Sequence, residues 1–248
     1  MRSLLAVLLV SSLYASVMSA GCTSAPSSDD DDSSPESAEM EHLFDFVIIA
    51  DPHIAGPIAH EERLAAAIVW INEHRDEFGI DLTLVLGDIG WGEGLEPALG
   101  LLEVLTMPFV PVIGDNVVTY GGEEDFETTF APTFEALATE LEAWERAALP
   151  VWHDSAEADA WLQNVRFEHK GVLFISQDWN VRDATGLMAE FGEFNDVEGG
   201  SWDWLGAALQ GAENRPDESV LVLSHVPMAP VSFDLEERDR FADLIAPI

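Results

Sequence analysis

The sequence predicts an α/β protein with a mainly parallel sheet and a second sheet beside it, on three observations. Strand-like and helix-like stretches alternate through the first half, which argues for βαβ units. The second half breaks that alternation with a hairpin pattern, which implies another sheet. Apolar strand segments also end repeatedly on a carboxylate or an imidazole, the arrangement expected where strand ends line a crevice.

The elements follow in order. "LFDFVIIA", Leu43 to Ala50, is an apolar strand, and His60 to Phe78 is an amphipathic helix with Leu64, Ile68 and Ile71 on one face. "DLTLVLGD" is a second strand, Leu95 to Leu105 a second helix, and "PFVPVIGD" a third strand. Asp125 to Ala148 is expected to be helical. Val165 to Asp178 reads as a hairpin turning at Lys170 and Gly171, followed by a Gly- and Trp-containing loop, a helix around "WDWLGAALQGA" and a last strand, "SVLVLSH". No internal repeat is present.

Ahead of these elements, residues 1–22 read as an export leader. Arg2 precedes the apolar stretch "LLAVLLVSSLYASVM", too short for a membrane span, and small residues "SAGC" end at Cys22. "SAGC" resembles a bacterial lipobox, with Ser19 where Leu is usual. The resemblance implies an exported lipoprotein held at the membrane by a lipid on Cys22, on the periplasmic or cell-surface side. Cys22 is the only cysteine, so no intrachain disulfide can form. Residues 23–41 are rich in Ser, Asp, Glu and Pro and bury too little to order themselves, so they are expected to be an acidic tether. The folded domain is expected to span 42–248.

With 47 acidic and 10 basic side chains, the chain carries a formal net charge of −37. Phosphate backbones are gripped by clustered Lys and Arg, and Lys170 is the only lysine, so nucleic-acid affinity is excluded as a general activity. The excess acid reads as a solvating surface. The sequence carries no signal for oligomeric state.

The strand ends carry the chemistry. "VIIADPH" delivers Asp51 and His53, "LVLGD" delivers Asp88, "PVIGDN" delivers Asp115 and Asn116, and "LVLSH" delivers His225. Singly, each has an ordinary structural use: Asp88 as a turn or cap residue, His225 as a core histidine. Jointly, they are the carboxylate and imidazole set that divalent transition metals favour, with a shared carboxylate needed if two ions sit together.

From His42 onward the chain resembles the calcineurin-like (purple acid phosphatase-like) metallophosphoesterases. "ADPH" is similar to that family's D-x-H block, "LGD" to its G-D block and "LSHVP" to its later histidine, and "SWDWLGAAL" resembles the helix before that histidine. The resemblance implies a two-sheet αββα sandwich lacking its last strands and two divalent ions, Mn, Fe or Zn. Asp51 and His53 would bind the first ion, Asp88 would bridge, and Asp115 and His225 would bind the second. A hydroxide between the ions would attack a phosphate mono- or diester in line.

Two departures matter. "IGDNVV" stands where the family has G-N-H-[DE], so Asp115 replaces an asparagine ligand and Asn116 replaces a substrate-contacting histidine. Asn116 can still contact substrate but cannot supply a proton to a leaving group. No G-H-x-H follows His225, which is read as C-terminal truncation. The alternative function is a non-catalytic lipoprotein that keeps the fold as a binding module.

The other histidines, His42, His60, His74, His153 and His169, are expected on surfaces, in loops or at the tether junction, with His153 held in reserve as a pocket residue. Trp179, Trp202 and Trp204 are expected to pack in the core or over a sheet. "YGGEEDF", Tyr120 to Phe126, reads as a helix start rather than an acidic lid.

Overall fold

The computed structural model describes residues 6–7, 44–55, 58–182, 191–212 and 219–247. Cys22 and the 23–41 tether lie outside the described residues. Three parallel strands form one sheet in the order β2 (Asp45–Ala50), β3 (Ile80–Leu86), β4 (Phe109–Val112). The second sheet is five-stranded and mixed: β1 (Ala6–Val7), β10 (Ser219–Ser224), β9 (Val172–Gln177), β8 (Val165–His169), β5 (Glu142–Arg146). In it β10 runs parallel to β9, while β8 is antiparallel to β9, as the hairpin pattern predicted. A two-stranded ribbon, β6 (Val151–His153) with β7 (Ala158–Ala160), connects β5 to β8.

Alternating side chains decide which face meets what. Phe46 of β2 meets Phe174 of β9 edge-on with centroids 5.8 Å apart, and Phe174 stacks on Phe167 of β8 at 4.8 Å, so these rings lie between the two sheets. Their neighbours point outward. Leu173 and Ile175 of β9 and Val220 and Val222 of β10 join Leu205 and Leu209 of α5 (Ser201–Ala212) and Phe241 of α6 (Leu235–Ile245) in a second core. The three-stranded sheet is covered by α1 (Ile58–Phe78), which buries Leu64, Ile68 and Ile71, and α2 (Leu95–Leu102), which buries Leu95, Ala98 and Leu102. Helices therefore flank two stacked sheets in an αββα sandwich. Each fully buried Leu, Ile or Phe contributes about 1.5–3 kcal/mol to holding these layers together.

One expected element is corrected. The helix at Asp125–Ala148 is α4 (Glu123–Glu140) followed by β5, because the chain turns extended at Leu141 (φ −104°, ψ 144°). Pairing with β8 overrides the helical pattern: Glu145 faces Arg166 across the sheet, and Arg146 is anchored to Glu127 and Gln163. Among the described residues no helix is long and apolar enough to cross a membrane.

Candidate metal centre

All the polar residues predicted at strand ends lie at the carboxyl ends of β2, β3, β4 and β10. Backbone bonds fasten the first two loops together: His53 N–H donates to the Asp88 carbonyl at 2.8 Å and Ile54 N–H to the Ile89 carbonyl at 3.0 Å. Asp51, His53 and Asp88 have φ of 55°, 56° and 46°, in the sparsely populated left-handed region. Such positions cost on the order of 1–3 kcal/mol each and persist only where the surrounding structure dictates them. Here the buried strands do so, and they turn three side chains toward one point.

Two glycines permit the approach. A Cβ at Gly87, whose φ is +74°, would lie 2.2 Å from His225 Nδ1, and one at Gly114 would lie 2.1 Å from the Asp88 nitrogen. Neither contact is tolerable, so the positions before Asp88 and Asp115 are restricted to glycine.

The side chains form two groups that share Asp88. His53 Nε2 lies 3.6 Å from Asp51 Oδ1 and 3.1 Å from Asp88 Oδ2. His225 Nε2 lies 2.7 Å from Asp115 Oδ1 and 3.8 Å from Asp88 Oδ1. In each triplet, Asp51–His53–Asp88 and Asp88–Asp115–His225, one ligating atom per residue lies within 4.8 Å of the others, close enough to surround one ion. Asp88 is 3% exposed, so its two oxygens face opposite triplets from a buried position. It is itself held by Asn116, whose backbone N–H donates to Oδ1 at 3.1 Å and whose side-chain amide donates to Oδ2.

The electrostatics fit a cation. Burial pushes the Asp51 carboxyl up, against the attraction of His225 and with the repulsion of Asp88. Burial also opposes the charges of Asp115 and His225. Their hydrogen bond prevails: Asp115 is held below the usual carboxylate range and His225 is raised to about 9, with Asp88 assisting. His225 Nδ1 donates to the Leu86 carbonyl at 3.1 Å, which fixes the ring so that Nε2 faces the two carboxylates. His53 Nε2 is buried and makes no aligned hydrogen bond despite its short distance to Asp88. A buried imidazole nitrogen with no hydrogen-bond partner, set among carboxylates, has the chemistry of a metal ligand.

A family model described as calcineurin-like phosphoesterase matches residues 44–245. The chain belongs to the calcineurin-like phosphoesterase family. A crystal structure of a dimetal phosphatase from Danio rerio is similar in fold, with 14% sequence identity, a TM-score of 0.52, and coverage of 83% of this chain and 78% of that one. No curated protein matches the sequence.

Within this phosphoesterase fold, the structure brings together Asp51, His53, Asp88, Asp115, Asn116 and His225. Asn116 points its amide at Asp88, one step behind the ligating atoms. Sequence reasoning missed His60, whose Nδ1–H donates to the His53 carbonyl at 3.0 Å, and Trp91, whose ring meets His53 edge-on at 5.5 Å. Two further histidines, His153 and His169, differ from the surface expectation, while His74 lies on the α1 surface as expected. His153 is fully buried on β6, beside β7 in the ribbon, with Nε2 3.8 Å from Glu193. His74 stacks on Trp70 at 4.3 Å, and His169 lies half-buried edge-on to Phe44 at 4.8 Å, where burial lowers its pKa. His42 lies outside the described residues. Trp179 is core, meeting Phe194, Phe233 and Phe241, and Trp202 stacks on Phe194.

Glu123, at the start of α4, turns inward rather than forming a lid: it lies 2.9 Å from Arg182 Nε, and Arg182 also pairs with buried Asp178 at 2.7 Å. A cavity of about 560 Å³ lined by Thr106, Phe109, Pro132 and Leu137 lies at the amino end of β4, the wrong end of the sheet for this chemistry.

Proposed function

We propose that the chain hydrolyses phosphate mono- or diesters with two divalent ions, Mn, Fe or Zn, in a domain exported and anchored to a membrane through lipid on Cys22. The supporting observation is the single buried carboxylate, Asp88, common to both ligand triplets. Family membership supports the reaction class. The fold-level likeness to a dimetal phosphatase agrees with the metal count.

Asp51 and His53 would hold one ion, Asp115 and His225 the other, and Asp88 both. When bound, the ions supply a water nucleophile at neutral pH and positive charge for the phosphoryl oxygens. The protein's own part is positional. The left-handed backbone at Asp51, His53 and Asp88 aims the ligands, Asn116 fixes the plane of the Asp88 carboxylate, and the Leu86 carbonyl fixes the His225 ring. Asn116 has no acidic proton and cannot protonate the departing group, so the site relies on leaving groups stable as anions. Esters of acidic alcohols should therefore turn over far faster than alkyl esters. On charge, the substrates are small phosphoesters rather than nucleic acids.

A second reading, a binding module that keeps the fold, is favoured by Asn116 where the resemblance expects a histidine. Turnover of bis(p-nitrophenyl) phosphate and p-nitrophenyl phosphate by the Mn²⁺-loaded protein separates the two. Hydrolysis that disappears in Asp51→Ala supports the enzyme; metal binding with rates equal to that variant supports the module.

A further inference from the structure

We infer that Trp91 and Tyr120 form an aromatic platform that receives a planar aromatic group on the phosphoester, and so set its substrate class. This inference rests on the phosphoesterase reading above. Three rings run outward from the centre: His53 meets Trp91 edge-on at 5.5 Å, and Trp91 stacks on Tyr120 at 6.0 Å with planes 16° apart.

Both aromatic residues are tied to the site by the chain. Trp91 follows Asp88 by three residues and packs partly against the core, which makes it a rigid base. Tyr120 caps α3 (Asp115–Thr119), its N–H donating to the Asn116 carbonyl at 3.1 Å. Residues four apart in a helical turn share a face, so Tyr120 stands over the same side as Asn116, about one 5.4 Å turn away. Tyr120 is 66% exposed, so a flat ligand group can extend the stack without displacing protein.

The chemistry points the same way. Without a proton donor at Asn116, the site favours leaving groups that are stable as anions, and aryl oxides are such groups. Aromatic side chains hold planar rings and bases by stacking with little demand on hydrogen bonding. A site in so acidic a protein, with net charge −37, gains from uncharged stacking contacts where added cations are scarce.

The test is calorimetric binding to Mn²⁺-loaded full-length protein, with two matched ligand pairs: phenyl phosphate against methyl phosphate, and AMP against ribose 5-phosphate. The aromatic member should bind about tenfold more tightly in at least one pair. That advantage should fall to within about twofold in Tyr120→Leu and return in Tyr120→Phe, which keeps the ring. An advantage confined to phenyl phosphate identifies aryl esters, and one confined to AMP identifies nucleotides. Equal affinities within both pairs, or an advantage that survives Tyr120→Leu, would overturn the platform. Because binding needs no turnover, a protein that binds as expected but hydrolyses nothing would sink the enzyme reading alone.

Discussion

Asn116 grips both oxygens of Asp88, one through its backbone N–H at 3.1 Å and the other through its side-chain amide. The residue that stands where a proton donor was expected thus serves as the clamp on the one carboxylate common to both triplets. Partners that orient metal ligands are worth about 10–100-fold in affinity or activity. Asn116→Ala should therefore weaken metal binding by about that factor while shifting the melting temperature little, as read by metal titration alongside thermal unfolding. Unaltered affinity would show that the clamp is incidental.

Gly114→Ala should be among the most damaging small substitutions. Its Cβ would meet the Asp88 nitrogen at 2.1 Å and Oδ1 at 2.2 Å, in backbone that cannot give way cheaply. Overpacking of this kind costs about 1–3 kcal/mol or more. Gly100→Ala, inside α2 with no atom near its new Cβ, should instead be neutral or stabilise by about 0.5–1 kcal/mol. Thermal unfolding of the two variants reads the contrast directly.

Metal affinity should rise with pH. His225 is raised to about 9 by Asp115 and Asp88, so near neutrality the metal-free ring is protonated and an ion must displace that proton. Affinity should climb until pH passes about 9. The same pair governs metal-free stability with the opposite sign. A histidine raised from 6.5 contributes its full stabilisation below 6.5 and loses it as pH rises through about 9. Asp115, lowered from 3.8, contributes above that value and loses its share as pH falls below it. Chelator-treated protein should therefore be less stable at pH 9.5 than at pH 6, and metal-loaded protein should narrow the gap. Denaturant titration at the two pH values checks both statements.

The strands that deliver Asp51, Asp88, Asp115 and His225 were legible because each is an apolar run that stops abruptly on a titratable residue. Gly87 and Gly114 were visible as the letters before Asp88 and Asp115, but their reason lies in contacts with His225 and Asp88 that only the folded chain makes. α3 has five residues, too few for a periodic pattern, so the placement of Asn116 against Asp88 and of Tyr120 against Trp91 could not be read. Glu142–Arg146 reads as helix locally and becomes strand because β8 offers it a partner. His153 has a polar letter and a core position, and nothing in its local pattern announces the ribbon that buries it.

Arg182 is buried between Asp178 and Glu123, and its charge is favoured by both carboxylates over the opposing effect of burial. Removing one partner from such a cluster leaves uncompensated charge and costs about 3–5 kcal/mol. Arg182→Met should lower unfolding stability by that order. Lys170→Met, which breaks the partly exposed pair with Asp81, should cost no more than about 1 kcal/mol. Equal losses in denaturant titrations of the two would contradict the assignment of Arg182 as a structural pin.

The sharpest test is the metal content of the wild-type chain beside Asp51→Ala, Asp115→Ala and Asp88→Ala, measured by plasma mass spectrometry after loading with Mn²⁺ and removal of free ion. The account predicts about two ions per chain in the wild type, about one in each of the first two variants, and almost none in Asp88→Ala, because that carboxylate serves both positions. An Asp88→Ala protein that folds and keeps as much metal as the wild type would contradict it.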